Sequence, residues 1–141
     1  MVIPLEVILE IKVAPDNITR LEDNEIFVFG SNYSGRHGKG AALLAMRKFG
    51  AKAGHGVGLM GQSYGIATKG HRLDTLPLSA ISAQIGKFIK FSTQNPQFFF
   101  LVTQIGCGLA GYKAKQIAPL FFEYDIPSNV ALPEVFLRFR V

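Results

Sequence analysis

The sequence predicts an α/β domain: a three-layer α/β/α sandwich whose central sheet is mixed and mostly parallel. Three observations predict it. Short apolar runs alternate along the chain with segments of helical period. Two of those runs lead straight into glycine loops and then into helices, the connection that parallel strands need. The 141 residues also suit one core of ordinary size, so residues 1–141 read as a single domain. With 48% hydrophobic and 18% charged residues, the composition is that of a globular chain and not a disordered one.

Val7–Val13 is rich in β-branched residues and stops at Pro15, which predicts a first strand. Glu25–Phe29 is a short apolar run halted by Gly30-Ser31-Asn32, a buried strand entering a loop that continues through Gly35, Gly38 and Gly40. Ala41 to about Phe49 follows as a helix of strong formers, with Arg47-Lys48 suiting its C-terminal dipole and Gly50 ending it. Glycine then recurs at 50, 54, 56, 58, 61 and 65 without period, so this stretch reads as loop whose backbone bends sharply or approaches something closely. Tyr64–Thr68 is a short strand. After Pro77 the apolar positions Ile81, Ile85, Phe88 and Ile89 fall at helical spacing, giving an amphipathic helix to about Ser92. Phe98–Thr103 is the strongest buried strand, and it runs into a second glycine loop, Gln104–Tyr112. A helix over Ala114–Phe122 and a last strand near Asn129–Leu132 complete the pattern.

Several function classes are disfavoured by residue usage. Cys107 is the lone cysteine, so no intramolecular disulfide forms, and with His37, His55 and His71 far apart no metal-ligand spacing exists. Residues 91–112 carry no charge, but Gln94, Asn95, Pro96, Gln97 and Gln104 interrupt them, leaving Phe98–Val102 as a strand-length apolar piece and no membrane span. Met1–Glu6 lacks the basic start and apolar core of a signal peptide, which predicts a cytoplasmic protein. The net charge of +5 favours anionic partners without choosing among them.

Among generic nucleotide motifs, a Walker loop is absent, because Lys39 precedes Gly40 and Ala41 follows it. Gly56-Val57-Gly58-Leu59-Met60-Gly61 matches G-x-G-x-x-G in letters only, with neither a strand before it nor a helix after it. The two strand–loop–helix units remain. Gly38-Lys39-Gly40-Ala41-Ala42 and Gly106-Cys107-Gly108-Leu109-Ala110-Gly111 would each offer free backbone N–H groups near a helix N-terminus, a setting that welcomes an anion. Side by side at the ends of neighbouring strands, they would grip a diphosphate from both faces.

These segments give the chain a likeness to a known family. From about Val7 to about Leu132 it resembles a macrodomain, the ADP-ribose-binding module. The likeness is carried by Asn17-Ile18-Thr19, Glu25–Asn32, Gly38–Ala42 and Gln104–Tyr112. Within that family it is most similar to the terminal ADP-ribose protein glycohydrolases, through Gly38-Lys39-Gly40-Ala41, Arg47-Lys48-Phe49-Gly50, Ile66-Ala67-Thr68-Lys69 and Ile105-Gly106-Cys107-Gly108-Leu109. The resemblance implies that Asp16 or Asn17 meets the adenine and Asn32 the distal ribose. It implies further that Gly38, Lys39, Gly40 and Ala41 cradle one phosphate and Gly106, Cys107, Gly108 and Leu109 the other, with Ala110 and Gly111 also meeting the ligand and Tyr112 covering the pocket. Lys69 matches the branch's nucleophilic lysine. Two departures matter: Ala110 stands where the branch has its aspartate, and Asn17 where the family has an adenine-contacting aspartate.

The expected function is therefore binding of ADP-ribose or an ADP-ribosylated macromolecule, with Lys69 as the candidate centre of ADP-ribosyl hydrolysis and no bound cofactor. Two other readings use the same residues. One is a phosphatase acting on ADP-ribose 1″-phosphate. The other is a nucleic-acid-binding module, which the charge permits but which lacks a basic stripe interleaved with exposed aromatics.

Overall fold

The computed structural model describes residues 11–140. The Met1–Glu6 reading and the first part of the predicted strand at Val7–Val13 lie outside the described residues. Six strands, β1 (Lys12–Ala14), β2 (Glu25–Asn32), β3 (Gly58–Met60), β4 (Ser63–Lys69), β5 (Phe99–Val102) and β6 (Val130–Pro133), form one sheet in the order β1-β6-β5-β2-β4-β3. Every neighbouring pair is parallel except β3–β4. The helices are α1 (Gly40–Lys48), α2 (Leu78–Gln94), α3 (Ala114–Phe122) and the single turn α4 (Glu134–Leu137). Among the described residues no helix is long and apolar enough to cross a membrane.

Strand periodicity divides the core in two. Ile26, Val28, Phe100, Val102, Val130 and Leu132 point to one face and pack beneath α2 and α3. Phe27, Phe29, Leu101 and Ala131 point to the other and meet Ala45 of α1 and Phe49 just beyond it. Because β2, β5 and β6 carry apolar residues on both faces, their sequences read as continuous runs, as buried parallel strands do. The architecture is the expected three-layer sandwich.

The connections decide where a crevice opens. β2 passes through α1 on one face towards β4, while β5 passes through α3 on the other face to β6. Two adjacent parallel strands thus send their chains to opposite sides, and the gap beyond their C-terminal ends is the switch point where α/β sheets hold ligands.

Two expectations need correction, and one helix was not expected. The stretch from Gly50 to Gly65 is not all loop, since Gly58–Met60 pairs antiparallel with β4 at the sheet edge; three residues are too few to display alternation. β2 runs on to Asn32, past the Gly30 that was taken to end it. Gly30 stays in the strand because the second glycine loop lies against it: a Cβ there would stand 3.3 Å from the Gly106 nitrogen. α4 gave no sequence signal, yet it buries Phe136 against Phe121 with ring centroids 5.7 Å apart.

Candidate functional site

A cavity of about 680 Å³ opens beyond β2 and β5, within the usual range of ligand pockets, roughly 300–1,000 Å³. Both glycine loops line it. Gly38, Lys39, Gly40, Ala41 and Ala42 form one side, and Gly106, Gly108, Leu109 and Ala110 the other. A second cavity of about 240 Å³ shares Gly40, Ala41, Thr103 and Gln104 with the first, and continues between Asp16, Asn17, Ile18, Phe27, Leu44 and Pro133. Sharing those four residues, they adjoin as a larger, glycine-walled limb and a smaller one.

The first loop ends in an uncapped helix. Lys39 occupies the N-cap of α1 in extended conformation and makes no side-chain cap, and the first turn holds no acidic residue. The first intrahelical bond runs from Leu43 N to Lys39 O at 3.3 Å, so the N–H groups of Gly40, Ala41 and Ala42, all residues of the cavity wall, have no helical acceptors. In the second loop, Cys107 N donates to Gln104 O (3.2 Å), Gly111 N to Gly108 O (3.0 Å) and Tyr112 N to Gly106 O (2.9 Å). Those bonds fold the loop back on itself. Among the described residues, Gly108, Leu109 and Ala110 find no acceptor for their N–H groups.

The charge of the large cavity is one-sided. Arg36, Lys39 and Lys69 line it, and among the described residues no carboxylate does. Asp74 turns its carboxylate back over Gly70, within its own turn, and lines neither cavity. Lys69 ends β4 and pairs with Asn32, after the β2–β4 register skips Thr68 between Ser31↔Ala67 and Asn32↔Lys69. A bulge of this kind re-aims the side chains after it. The following turn is tied across the cavity mouth by Thr75 Oγ1 donating to Ala110 O (3.0 Å), and it holds Leu73 against the cavity at φ +62°. A non-glycine residue in that region stores strain, on the order of 1–3 kcal/mol.

No family model matches the sequence, and no curated protein sequence does. Solved structures do. The chain superposes on a protein of unknown function from Bacteroides thetaiotaomicron with a TM-score of 0.60 at 16% identity, covering 87% of this chain and 94% of that one. It superposes on a macrodomain protein from Streptomyces coelicolor with a TM-score of 0.58 at 16% identity, covering 88% and 97%. This is a macrodomain fold.

The macrodomain fold brings most of the candidate residues together and turns three away. Asn32, Gly38, Lys39, Gly40, Ala41, Lys69, Gly106, Gly108, Leu109 and Ala110 line the large limb, and Asp16 and Asn17 the small one. Cys107, Gly111 and Tyr112 line neither limb. Cys107 packs against the core with Sγ 3.5 Å from Ile105 O. Gly111, at φ +88°, serves the turn. Tyr112 packs against the core and donates its hydroxyl to Leu76 O at 2.7 Å, so it does not cover the pocket. Alternate spacing in a glycine loop does not reveal which side faces ligand. The cavity also takes in Arg36, Leu73, Thr103 and Gln104, which were not among the expected site residues. The last two were signalled by their place at the end of β5.

Burial pushes the Cys107 thiol up from its ordinary value. The thiolate, the reactive form, is thereby suppressed at neutral pH. Alkylation by iodoacetamide at pH 7.5 should run slower than for a free thiol. Cys107→Ser should leave ligand affinity within about twofold. Rapid alkylation blocked by a nucleotide would return Cys107 to the pocket wall.

Proposed function

We propose that this protein binds ADP-ribose, free or carried on a macromolecule, and that it binds without turning it over. One observation carries the reading: two loops of open backbone N–H groups line a single carboxylate-free cavity that holds Arg36, Lys39 and Lys69. A diphosphate fits between an uncapped helix start and a second cup of amides, since both offer preorganised donors to an anion. The small limb, walled by Ile18, Phe27 and Leu44 with Asp16 and Asn17 at its edge, suits a flat base whose exocyclic amine needs an acceptor. The distal ribose then lies towards Lys69 and Leu73.

The same wall supports binding without turnover. Breaking a glycosidic bond calls for proton transfer worth about 10²–10⁴-fold, and among the described residues no acid lines the large limb to supply it; Asp16 lies in the small limb, and Ala110 offers only a methyl group. Lys69 contributes charge.

Calorimetry and thermal melting with ADP-ribose, AMP, ADP and ADP-ribose 1″-phosphate test the binding reading. At 100 times its Kd, ADP-ribose should add about 2.7 kcal/mol of stability, which is roughly 8 °C for a domain of this size. AMP, which fills one limb, should bind at least about 10-fold more weakly. No melting shift with millimolar ADP-ribose would refute it. Release of ADP-ribose from an ADP-ribosylated peptide should stay at the spontaneous rate. Faster release that disappears in Lys69→Ala would make the protein a hydrolase, and phosphate release from the 1″-phosphate would make it a phosphatase.

A further inference from the structure

Arg36 stands in the wall of the large cavity, and among the described residues its guanidinium has neither an ion-pair nor a hydrogen-bond partner. Its backbone, in contrast, is held from both sides. Asn32 Nδ2 donates to Arg36 O at 2.8 Å, and Arg36 N donates back to Asn32 Oδ1 at 2.9 Å. Ser34 Oγ donates to the same Oδ1 at 2.8 Å, and Gly35 N to Asn32 O at 3.1 Å. On the other flank His37 is 3% exposed, its Nε2 lying 3.0 Å from Lys52 O and 2.9 Å from His55 O. Two carbonyls facing one ring nitrogen require that nitrogen to carry the proton. The ring also meets Phe29 edge-on at 5.4 Å.

An exposed arginine with no partner is ordinarily left on a yielding surface loop. Here the chain closes both peptide groups of Arg36 with one carboxamide and buries the next side chain. That is the support a recognition residue needs, because a rigid base fixes where a planar fork of donors can reach. Asn32 has correspondingly little left to offer: its Oδ1 already accepts two hydrogen bonds, and its Nδ2 retains a single free hydrogen.

We infer that Arg36 recognises an oxyanion of the ligand, a phosphoryl group of the diphosphate, from the wall of the large cavity, and that Asn32 is its positioning residue. Lys39 and Lys69 supply point charges, whereas Arg36 supplies two parallel donors and hence direction. The inference rests on the anion-binding reading of the site and departs from the expectation that Asn32 itself meets the ribose.

Calorimetry on the full chain with two probes, inorganic pyrophosphate and ADP-ribose, tests it. Arg36→Ala should weaken both by about 10- to 100-fold, as loss of a charge-assisted hydrogen bond does, with the melting temperature unchanged within about 2 °C. Arg36→Lys should restore only part of that affinity, since a point charge lacks the fork. Asn32→Ala should weaken binding about 5- to 20-fold, and Asn32→Ala with Arg36→Ala should be no weaker than Arg36→Ala alone. Additive losses would show that Asn32 touches ligand itself and overturn its positioning role. Arg36→Ala binding both probes within twofold of wild type would overturn the role of Arg36. If Asn32→Ala does not fold, the Arg36 Nε–H resonance of the wild type decides: pyrophosphate should shift it and slow its exchange, and an unmoved signal overturns the inference. A wild type that binds pyrophosphate but not ADP-ribose sinks the nucleotide reading and leaves Arg36 to be judged on pyrophosphate. Binding of neither sinks both.

Discussion

Lys39→Asp should make the protein more stable and nearly abolish its affinity for ADP-ribose. The two effects have opposite signs and one cause. Lys39 is the N-cap of α1, already in the extended conformation that a capping residue requires, but a lysine cannot accept the N–H groups behind it. Aspartate accepts them and adds a negative charge at the positive end of the helix, a gain of about 1 kcal/mol and some 3 °C in melting temperature. The same carboxylate takes the donors that a phosphate would use, removes one of the cavity's cations, and sets an anion within a few Å of the ligand. Like charges about 4 Å apart near a protein surface repel by up to about 4 kcal/mol, so affinity should fall at least 100-fold, or about 2.7 kcal/mol. Lys39→Ala isolates the lost cation and should cost no more than about 10-fold. Calorimetry and melting curves on the three proteins check both halves. If Lys39→Asp binds ADP-ribose as the wild type does, the phosphate does not sit at this helix, and the proposed function loses its anchor.

That helix start was legible because each step has a local cause. An apolar run ends at Phe29, glycines follow, and small strong helix formers resume at Ala41. The same logic located the second loop after Phe98–Thr103, and α3 occupies the residues expected of it, Ala114–Phe122. Legibility failed where tertiary geometry chooses between equivalent local options. Nothing near Leu73 announces a left-handed residue facing the cavity. Nothing in Gly-Cys-Gly-Leu-Ala-Gly-Tyr says that Gly108 and Leu109 face the cavity while Cys107 and Tyr112 face the core. Nothing beside Arg36 in the sequence announces that its peptide groups are held by Asn32, four residues earlier. The glycines between 50 and 65 were read as bending sharply or approaching something closely. The structure names what they approach, and it is the chain itself.

Gly56→Ala should be the most destabilising small substitution in this region, for that reason. A Cβ at Gly56 would overlap the Asn32 carbonyl oxygen outright, and would stand 2.8 Å from its carbon and 3.3 Å from Gly35 N. Neither neighbour is free to give way. Asn32 is the last residue of β2, paired to Lys69, and its carbonyl already accepts Gly35 N. Gly56 cannot retreat either, because its own carbonyl lies against Gly65 in β4, where a Cβ would clash in turn. The alanine methyl must therefore push the 50–61 segment off the end of β2. The expected cost is at least about 3 kcal/mol, beyond the usual range for overpacking because backbone and not side chain is displaced. That is a large fraction of the stability of an ordinary domain and roughly 10 °C of melting temperature. Gly54→Ala is the control. Gly54 has φ +87° but nothing within 4 Å of a Cβ, so it should lose only the conformational penalty of about 1 kcal/mol. If the two variants melt together, the density of glycine here serves turn conformation. If Gly56→Ala is far the worse, it serves contact between backbones, and because Asn32 moves with it, the variant should also lose the ligand that Arg36 is placed to hold.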